Sequence, residues 1–273
     1  MTDPVATHYA CTDDLASAIG RRLTEAGKDL ASLTTADLAP VDEFHVRGRE
    51  ATLELARGMG LTPESHVLDL GSGLGGPART VAETHGCRVT GIDLTPAFCD
   101  AAGVLTDWVG LAGRVRFEMG DVTALPFADG CFDAAMTLHV AMNIEAKDRL
   151  YAEARRVLRP GGVLAIYDVL QGEGGPVVYP VPWARDTAIS HLATPDEMAA
   201  LLEGAGFAIQ ECEDSTERGE AFFAAVNERL AQSGPPPVGF QAFLGEDFAA
   251  MAANMGRNLA ERRVRTLRYL CRA

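Results

Sequence analysis

The sequence lacks the marks of a membrane protein or a secreted protein. No run of about 18 apolar residues, the length that crosses a bilayer, occurs in its 273 residues. Residues Met1 to Pro4 do not begin the pattern of a secretory signal, in which a basic stretch precedes an apolar one. These absences predict a cytoplasmic protein with no membrane partner.

The sequence is also poor in positive charge. It has 24 Lys and Arg residues against 38 Asp and Glu residues, a net charge of -14, and the only lysines are Lys28 and Lys147. The excess of arginine over lysine indicates a G+C-rich genome. We expect a bacterial protein. An acidic chain repels phosphate backbones, so we expect no nucleic-acid partner. Six arginines cluster near the C-terminal end: Arg257, Arg262, Arg263, Arg265, Arg268 and Arg272. We expect them to form a solvated helix face that balances the charge of the acidic stretch from Glu211 to Glu220.

The cysteines are few and widely separated. There is no C-x-x-C pair, and no histidine stands near any of them at the spacing of metal ligands. We therefore expect reduced thiols and no metal. The six cysteines are Cys11, Cys87, Cys99, Cys131, Cys212 and Cys271.

Short apolar segments alternate with helical ones from residue 66 onward. This alternation predicts an α/β fold with a doubly wound, mostly parallel sheet. The expected strands are His66 to Leu70, Cys87 to Ile92, Arg114 to Glu118, Phe132 to Leu138, Gly162 to Val169 and Phe207 to Cys212, followed by an antiparallel last strand, Val264 to Cys271, at the sheet edge. The expected helices are Asp13 to Ala26, Arg47 to Arg57, Pro77 to Thr84, Pro96 to Val109 and Lys147 to Leu158, and one that opens at Thr194.

Hydroxyl caps and proline mark two of the helix starts. Thr95-Pro96 and Thr194-Pro195 each place a cap before a helix-starting proline, and Glu197 completes a capping box with Thr194.

Three divisions of the chain follow from this pattern. Residues 1–60 are an N-terminal helical segment, residues 61–215 and 264–273 form a cofactor-binding core, and residues 216–263 form a helical cap inserted between the last two strands. Residues 171–193 form a further insertion, too long for an ordinary connection, and are either a functional flap or a structural excursion.

A glycine cluster follows the first strand. Gly71, Gly73 and Gly76 have the G-x-G-x-x-G spacing. Both nucleotide-binding and S-adenosylmethionine-binding enzymes use such a glycine turn, so the spacing alone does not identify the ligand. Asp69 ends the strand, where its negative charge repels a pyrophosphate and favours a cationic sulfonium or ammonium. Asp93 ends the second strand, where a carboxylate binds both ribose hydroxyls.

The third strand is followed by a further carboxylate. Within "EMGDVTALPF", Gly120 and Asp121 follow this strand, where a carboxylate accepts from an adenine amine while Val122 packs on the ring.

Four ordered motifs carry a family resemblance. "VLDLGSGLGG", "VTGIDL", "GDVTALPF" and "VLRPGG" resemble the motif series of class I S-adenosylmethionine-dependent methyltransferases, over residues 45–212. The resemblance implies a Rossmann-like methyltransferase sheet, the cofactor S-adenosyl-L-methionine and the product S-adenosyl-L-homocysteine. It places the methionine part at Asp69, Gly71, Ser72 and Gly73, the ribose at Asp93 and Leu94, and the adenine at Gly120, Asp121 and Val122.

A narrower resemblance concerns layout. "GSGLGGPAR", the "NI-x-x-K" stretch of Asn143, Ile144 and Lys147, and the helical insertion are similar to small-molecule methyltransferases of the sarcosine/dimethylglycine and quinone/tocopherol types.

Residues near the expected methyl group are candidates for the acceptor site. By resemblance, His139 lies beside the cofactor, where it either orients or deprotonates an acceptor as a catalytic residue, or only packs and bonds to backbone. Asn143 holds an acceptor group or caps the next helix. His45, with Arg49 one turn on, either holds an anionic group of the cofactor or acceptor or starts a surface helix. Tyr9 is either a lid or an ordinary core or surface residue.

Aromatic and apolar side chains offer a substrate surface. Tyr179 and Trp183 in the 171–193 insertion either bind an aromatic or quaternary ammonium group or anchor the loop. Apolar stripes of the cap either form core or line the substrate pocket; they are Phe222, Phe223, Val226 and Leu230, then Leu244, Phe248, Met251, Met255 and Leu259.

The function predicted is methyl transfer to a small-molecule N, O or C nucleophile by in-line displacement. One alternative is a nicotinamide-dependent oxidoreductase, against which Asp69 and the shortage of lysines argue; another is a cofactor-binding protein without turnover. The N/D-P-P-Y/F motif of nucleobase methylation is absent. The apolar C-terminal helix leaves both a monomer and a homo-oligomer open.

Overall fold

The structure is a computed structural model that describes Val5 and residues 15–234, 236, 238–239 and 247–273. Tyr9, Cys11 and Leu244 lie outside the described residues. Within the described ranges, no helix is long and apolar enough to cross a membrane, and no group of three His, Cys, Asp or Glu side chains is placed to hold a metal ion.

A seven-stranded sheet forms the centre of the fold. Its strands are β1 (His66–Leu70), β2 (Arg88–Asp93), β3 (Val115–Met119), β4 (Phe132–Leu138), β5 (Leu158–Gln171), β6 (Ala208–Asp214) and β7 (Val264–Arg272). Their order is β3-β2-β1-β4-β5-β7-β6. The first five strands are parallel to their neighbours, whereas β7 is antiparallel to both β5 and β6. The predicted doubly wound α/β class, with an antiparallel last strand, is confirmed.

The predicted position of the last strand at the sheet edge is wrong. β7 lies between β5 and β6, and β6 forms the edge. Burial explains the order: most residues of β7 from Val264 to Cys271 are buried, whereas most of β6 is exposed. The acidic side chains of Glu211, Glu213 and Asp214 suit β6 to an edge because charged residues there discourage further strand pairing.

Helices cover both faces of the sheet. They are α1 (Leu15–Glu25), α2 (Thr35–Asp42), α3 (Gly48–Gly58), α4 (Gly76–His85), α5 (Pro96–Trp108), α6 (Lys147–Val157), α7 (Pro195–Gly204), α8 (Thr216–Ser233) and α9 (Phe248–Ala260). The predicted capping box of Thr194 and Glu197 begins α7. Thr95 precedes α5 as expected, but its side chain makes no capping hydrogen bond.

Two apolar clusters lie on opposite faces of the sheet. Val67 packs in one cluster and its neighbour Leu68 in the other, as expected for successive strand residues that point to opposite faces. The helices α8 and α9 contribute Phe223, Met255 and Leu259 to the first cluster.

The arginines near the C-terminal end pair with acids, as predicted. Arg262 forms a salt bridge with Glu220 at 3.0 Å, and Arg265 pairs with Asp214. Arg268 pairs with Glu213. This face therefore carries balanced charge rather than a free basic patch.

Candidate active site

The glycine loop turns sharply at the carboxyl end of β1. The backbone N–H groups of Gly71 and Ser72 both donate to Ile92 O, at 2.9 and 3.0 Å, which ties the loop to β2. Gly71 has a φ of +74°, and a Cβ there would lie 2.5 Å from Cγ2 of Val140. Only glycine fits both the left-handed backbone and this close approach. The loop consequently lies low over the sheet and leaves space above it.

A cavity of about 480 Å³ occupies that space. It lies at the carboxyl ends of β1, β2, β3 and β4, where open α/β sheets bind ligands. The structure brings together most of the residues predicted from sequence. Those that line the cavity are Gly71, Ser72, Gly73, Asp93, Leu94, Gly120, Asp121, Val122, His139, Asn143 and His45.

Asp93 anchors the glycine loop as well as lining the cavity. Its Oδ2 accepts the N–H of Gly73 at 2.8 Å, and its Oδ1 accepts the N–H of Thr95 at 2.9 Å. Burial raises the pKa of Asp93, while these N–H donors lower it. Leu94 beside it is 40% exposed. Asp121 is exposed, and its Oδ1 accepts the N–H of Thr123 at 2.8 Å.

Asp69 does not line the cavity, although the sequence placed it there. Its side chain is buried beneath the loop. Burial raises its pKa to about 8, and the carboxyl groups of Glu43 and Asp93 add to the shift. Because Asp69 is buried away from the cavity wall and its pKa is raised, its charge gives less support to the argument against a pyrophosphate than the sequence suggested.

Two buried oxygen atoms at the cavity wall have unfilled hydrogen-bonding capacity. Oγ of Ser72 and Oδ1 of Asp42 have no partner among the described residues, although both residues line the cavity. Buried polar atoms without partners are rare and point to a missing ligand or water. These oxygens suit the ammonium group of an amino-acid ligand.

Asp42 was not identified from the sequence. It ends α2, and its Oδ2 accepts from Arg79, a fully buried side chain, at 2.6 Å. Burial raises the pKa of Asp42 to about 6 despite this arginine. A Cβ on Gly76 would lie 2.3 Å from the backbone O of Asp42, so the second glycine of the Gly75-Gly76 pair allows α2 to reach the cavity.

His139 lies at the exit of β4 with a φ of +55°. Its Nδ1 is 3.2 Å from Tyr167 O, and its Nε2 accepts the N–H of Val46 at 3.4 Å. Because a carbonyl oxygen only accepts, the ring carries its proton on Nδ1. Burial lowers the pKa of His139 to about 3, so the ring is neutral. Both of its nitrogens contact backbone groups.

The other residues predicted to hold the acceptor make contacts within the protein. Asn143 donates from Nδ2 to Trp183 O at 3.0 Å and Ile189 O at 2.8 Å, so it fastens the 171–193 insertion and does not cap α6. Arg49 donates to Thr80 at 2.7 Å and does not line the cavity. Tyr179 is half-buried and packs against the core.

A second cavity, of about 530 Å³, lies beneath α8 and α9. Its wall is mainly apolar, and it includes the buried Trp183. The predicted apolar stripes of the cap meet there, except Leu259, which belongs to the core, and Leu244, which lies outside the described residues. The lining side chains from α8 and α9 include Phe222, Phe223, Val226, Leu230, Phe248, Met251, Ala252 and Met255.

The two cavities share a boundary made of Phe44, His45 and His139. The rings of His45 and His139 lie 5.9 Å apart between centroids. Among the described residues, ligands in the two cavities would therefore come closest to each other at Phe44 and this pair of histidines.

His45 is held by a hydrogen-bonded chain. Its Nε2 lies 2.9 Å from Gly48 O and 3.1 Å from Oγ1 of Thr52, and Thr52 donates to Oε2 of Glu43 at 2.6 Å. Glu43 is buried, which raises the pKa of its carboxyl group; the Thr52 and Thr80 hydroxyls that donate to it lower that pKa. The sequence marked His45 but gave no sign of Glu43 and Thr52, because their relation depends on the turn between α2 and α3.

Known proteins match both the sequence and the fold. Residues 68–166 match a family described as a methyltransferase domain. A sterol 24-C-methyltransferase of Gibberella zeae is 36% identical over 116 residues, 42% of this chain and 30% of that protein. The methyltransferase GfsG of Streptomyces halstedii is 31% identical over 188 residues, 67% of this chain and 66% of that protein.

A solved structure, the [4+2]-cyclase SpnF, aligns with a TM-score of 0.67 and 25% identity, covering 95% of this chain and 94% of that one. The chain spans between about a third and two thirds of the length of the first curated relatives that it matches. The matched domain, the four motifs and the strand order agree with one another. The chain belongs to the class I S-adenosylmethionine-dependent methyltransferase family.

Proposed function

We propose that this protein transfers a methyl group from S-adenosyl-L-methionine to an apolar small molecule held in the second cavity. The observation that carries the proposal is the pair of adjacent cavities, whose shared wall, within the part of the chain that the structure describes, consists of Phe44, His45 and His139. A displacement at carbon needs the nucleophile in line with the leaving group, so two sites that meet at one place suit the reaction.

The first cavity fits the cofactor. We assign Asp93 to the ribose hydroxyls, and Asp121 and Val122 to the adenine, because all three line this cavity. Ser72 and Asp42 offer unpartnered oxygens to the ammonium of the methionine part. When bound, S-adenosyl-L-methionine supplies a methyl group on a sulfonium, which is already activated by its positive charge.

The second cavity indicates the class of acceptor. Phenylalanine and methionine side chains from α8 and α9 form much of its wall, and such walls bind apolar molecules and adapt to their shape. We propose residues 216–263 as the cap that covers the acceptor. Sterols, alkylphenols and terpenoids have the required apolar surface.

Calorimetric titration tests the cofactor site first. S-Adenosyl-L-methionine and S-adenosyl-L-homocysteine are expected to bind, and NADH and NADPH are not. Asp93→Ala and Asp121→Ala are expected to weaken binding, with the larger loss for Asp93 because its carboxylate also holds Gly73. Asp100→Ala, an exposed carboxylate on α5, is the matched control. Binding of the nicotinamides alone would refute the proposal and support an oxidoreductase.

A matched pair on α9 tests the acceptor site. Ala252 is buried and lines the second cavity, whereas Ala253 beside it is exposed. With radiolabelled methyl donor and a panel of apolar phenols, terpenoids and sterols, Ala252→Phe is expected to abolish or sharply reduce turnover and leave S-adenosyl-L-homocysteine affinity unchanged. Ala253→Phe is expected to preserve both. Equal turnover in the two variants would place the acceptor elsewhere.

A second candidate function is cyclisation without methyl transfer. It is favoured by the 25% identity to the [4+2]-cyclase SpnF over nearly the whole chain, together with the apolar second cavity. Mass spectrometry separates the two functions: methyl transfer adds a methylene unit to the product mass, whereas cyclisation leaves the mass unchanged and continues when S-adenosyl-L-homocysteine replaces the methyl donor.

A further inference from the structure

We propose that His45 is the general base of the reaction and that the acceptor is a hydroxyl compound. Its Nδ1 would take the hydroxyl proton, while Thr52 and Glu43 act as positioning residues behind the ring. This inference rests on the proposed function, because the hydroxyl must lie at the boundary of the two cavities.

The hydrogen bonds of His45 fix its tautomer. Gly48 O can only accept, so the Nε2 atom 2.9 Å away carries the proton and donates. The Thr52 hydroxyl gives its own proton to Glu43, so its oxygen also accepts from Nε2. The lone pair of the neutral ring is therefore on Nδ1.

Nδ1 is the free nitrogen of this ring. It has no hydrogen-bond partner in the part of the chain that the structure describes, and His45 lines both cavities. Burial lowers the pKa of His45 to about 4, which keeps the lone pair available at neutral pH.

His139 is less suited to this task. Its Nδ1 proton is given to Tyr167 O, and its Nε2 lone pair faces the N–H of Val46. To act as a base, it would have to give up the second of these bonds. The two histidines therefore differ: His139 is fastened to backbone on both sides, whereas His45 is fastened on one side only.

Glu43 lies behind the His45 ring, on the Nε2 side, and when ionised it would stabilise a positive charge on the ring. Its Oε2 lies 3.7 Å from Nε2 of His45 and is linked to it through the Thr52 hydroxyl. As the acceptor oxygen attacks the methyl carbon, the new O–C bond forms and the C–S bond breaks, leaving its electron pair on sulfur as a neutral thioether. The hydroxyl proton passes to Nδ1, and the imidazolium later releases it to solvent. A carboxylate behind the ring favours this cation.

Nitrogen-15 NMR tests the tautomer without any acceptor. With labelled histidine and S-adenosyl-L-homocysteine bound, His45 is expected to show the Nε2–H form and His139 the Nδ1–H form. His45→Gln and His139→Gln spectra assign the two signals. An Nδ1–H form for His45 would overturn the proposal, because its lone pair would then face away from the acceptor.

Kinetics test the role itself. His45→Gln is expected to lower kcat by roughly 10²- to 10⁴-fold with little change in S-adenosyl-L-homocysteine affinity, and the loss should shrink with 4-nitrophenol, a more acidic probe than 4-alkylphenols. Wild-type kcat in His45→Gln would overturn the proposal. Failure of the unaltered protein to transfer any methyl group would instead refute the proposed function.

Thr52 offers a matched pair for the positioning role. Thr52→Val is expected to lower kcat while KM changes little. Thr52→Ser keeps the hydroxyl and is expected to restore kcat. Thr35→Val is the control, since Thr35 is also buried and donates to a carboxylate, that of Glu83 at 2.6 Å, but has no hydrogen bond to Glu43 or His45. Equal effects of Thr52→Val and Thr35→Val would mean that the hydroxyl of Thr52 only supports the fold.

Discussion

Substituting Gly71 tests how tightly the glycine loop lies against the end of β4. An alanine there adopts a φ of +74° and places its Cβ 2.5 and 2.7 Å from the two methyl groups of Val140. The left-handed backbone costs about 1–2 kcal/mol, and the overlap costs about 1–3 kcal/mol more. Gly71→Ala is therefore expected to lower the free energy of unfolding by about 2–5 kcal/mol.

Gly73→Ala is the matched control. Gly73 also has a positive φ, +51°, but a Cβ there would meet no atom within 4 Å. Gly73→Ala is therefore expected to lower the free energy of unfolding only by the cost of the left-handed backbone. Urea unfolding without ligand measures both variants, and their difference isolates the contact with Val140.

Val140→Ala completes the test. In the Gly71→Ala background it removes the two methyl groups that the new Cβ would overlap, so it is expected to recover most of the difference. Equal free energies of unfolding for Gly71→Ala and Gly73→Ala, or no recovery in the double variant, would refute the reasoning.

Three further predictions concern buried polar groups. Arg79→Met is expected to cost about 3–5 kcal/mol in urea unfolding because it leaves Asp42 buried without its partner; a cost near zero would contradict this. The pKa of Asp69 is raised from 3.8 to about 8, so its contribution to stability is fully present below about pH 4 and is lost as the pH rises through about 8. Between about pH 4 and about pH 8, the free energy of unfolding of Asp69→Asn is expected to fall less than that of the wild type. Urea unfolding that gives parallel pH profiles for the two proteins would contradict this prediction. Asn143→Ala removes hydrogen bonds to Trp183 O and Ile189 O, and is expected to cost about 1–3 kcal/mol and to speed limited proteolysis within residues 171–193; unchanged cleavage would contradict it.

Local patterns in the sequence were sufficient to predict the strands of the sheet, but not the order of its last two strands. β1 and β4 have the predicted bounds, because a buried strand between turns has a strong local signature. α2 was not predicted, although Thr34 and Asp37 form its capping box, since Pro40 interrupts the helical pattern. The position of β7 was wrong because strand order is a tertiary property: it depends on which edge best buries the apolar residues of that strand.

The sequence predicted the residues of the candidate site that follow strands, but not the contacts that depend on helix packing. Asp93, Gly120 and Asp121 follow strands of a parallel sheet, so topology alone brings them together at one cavity. The pairing of His45 with Thr52 and Glu43, and of Asp42 with Arg79, depends on how α2 and α3 pack on α4, which no local spacing specifies. The raised pKa of Asp69 could not be predicted from the sequence either, because burial in the folded protein causes it.

The placement of β7 has a consequence for synthesis of the chain. β6, α8 and α9 leave the ribosome before Val264, yet β7 is the strand that joins β6 to β5. Until it emerges, the β5 edge carries unpaired N–H and C=O groups, and the apolar faces of α8 and α9 lack the contacts that β7 provides. Such an open edge is a template for pairing with other chains. A ribosome that pauses before residue 264 would therefore hold a nascent chain in its most aggregation-prone state.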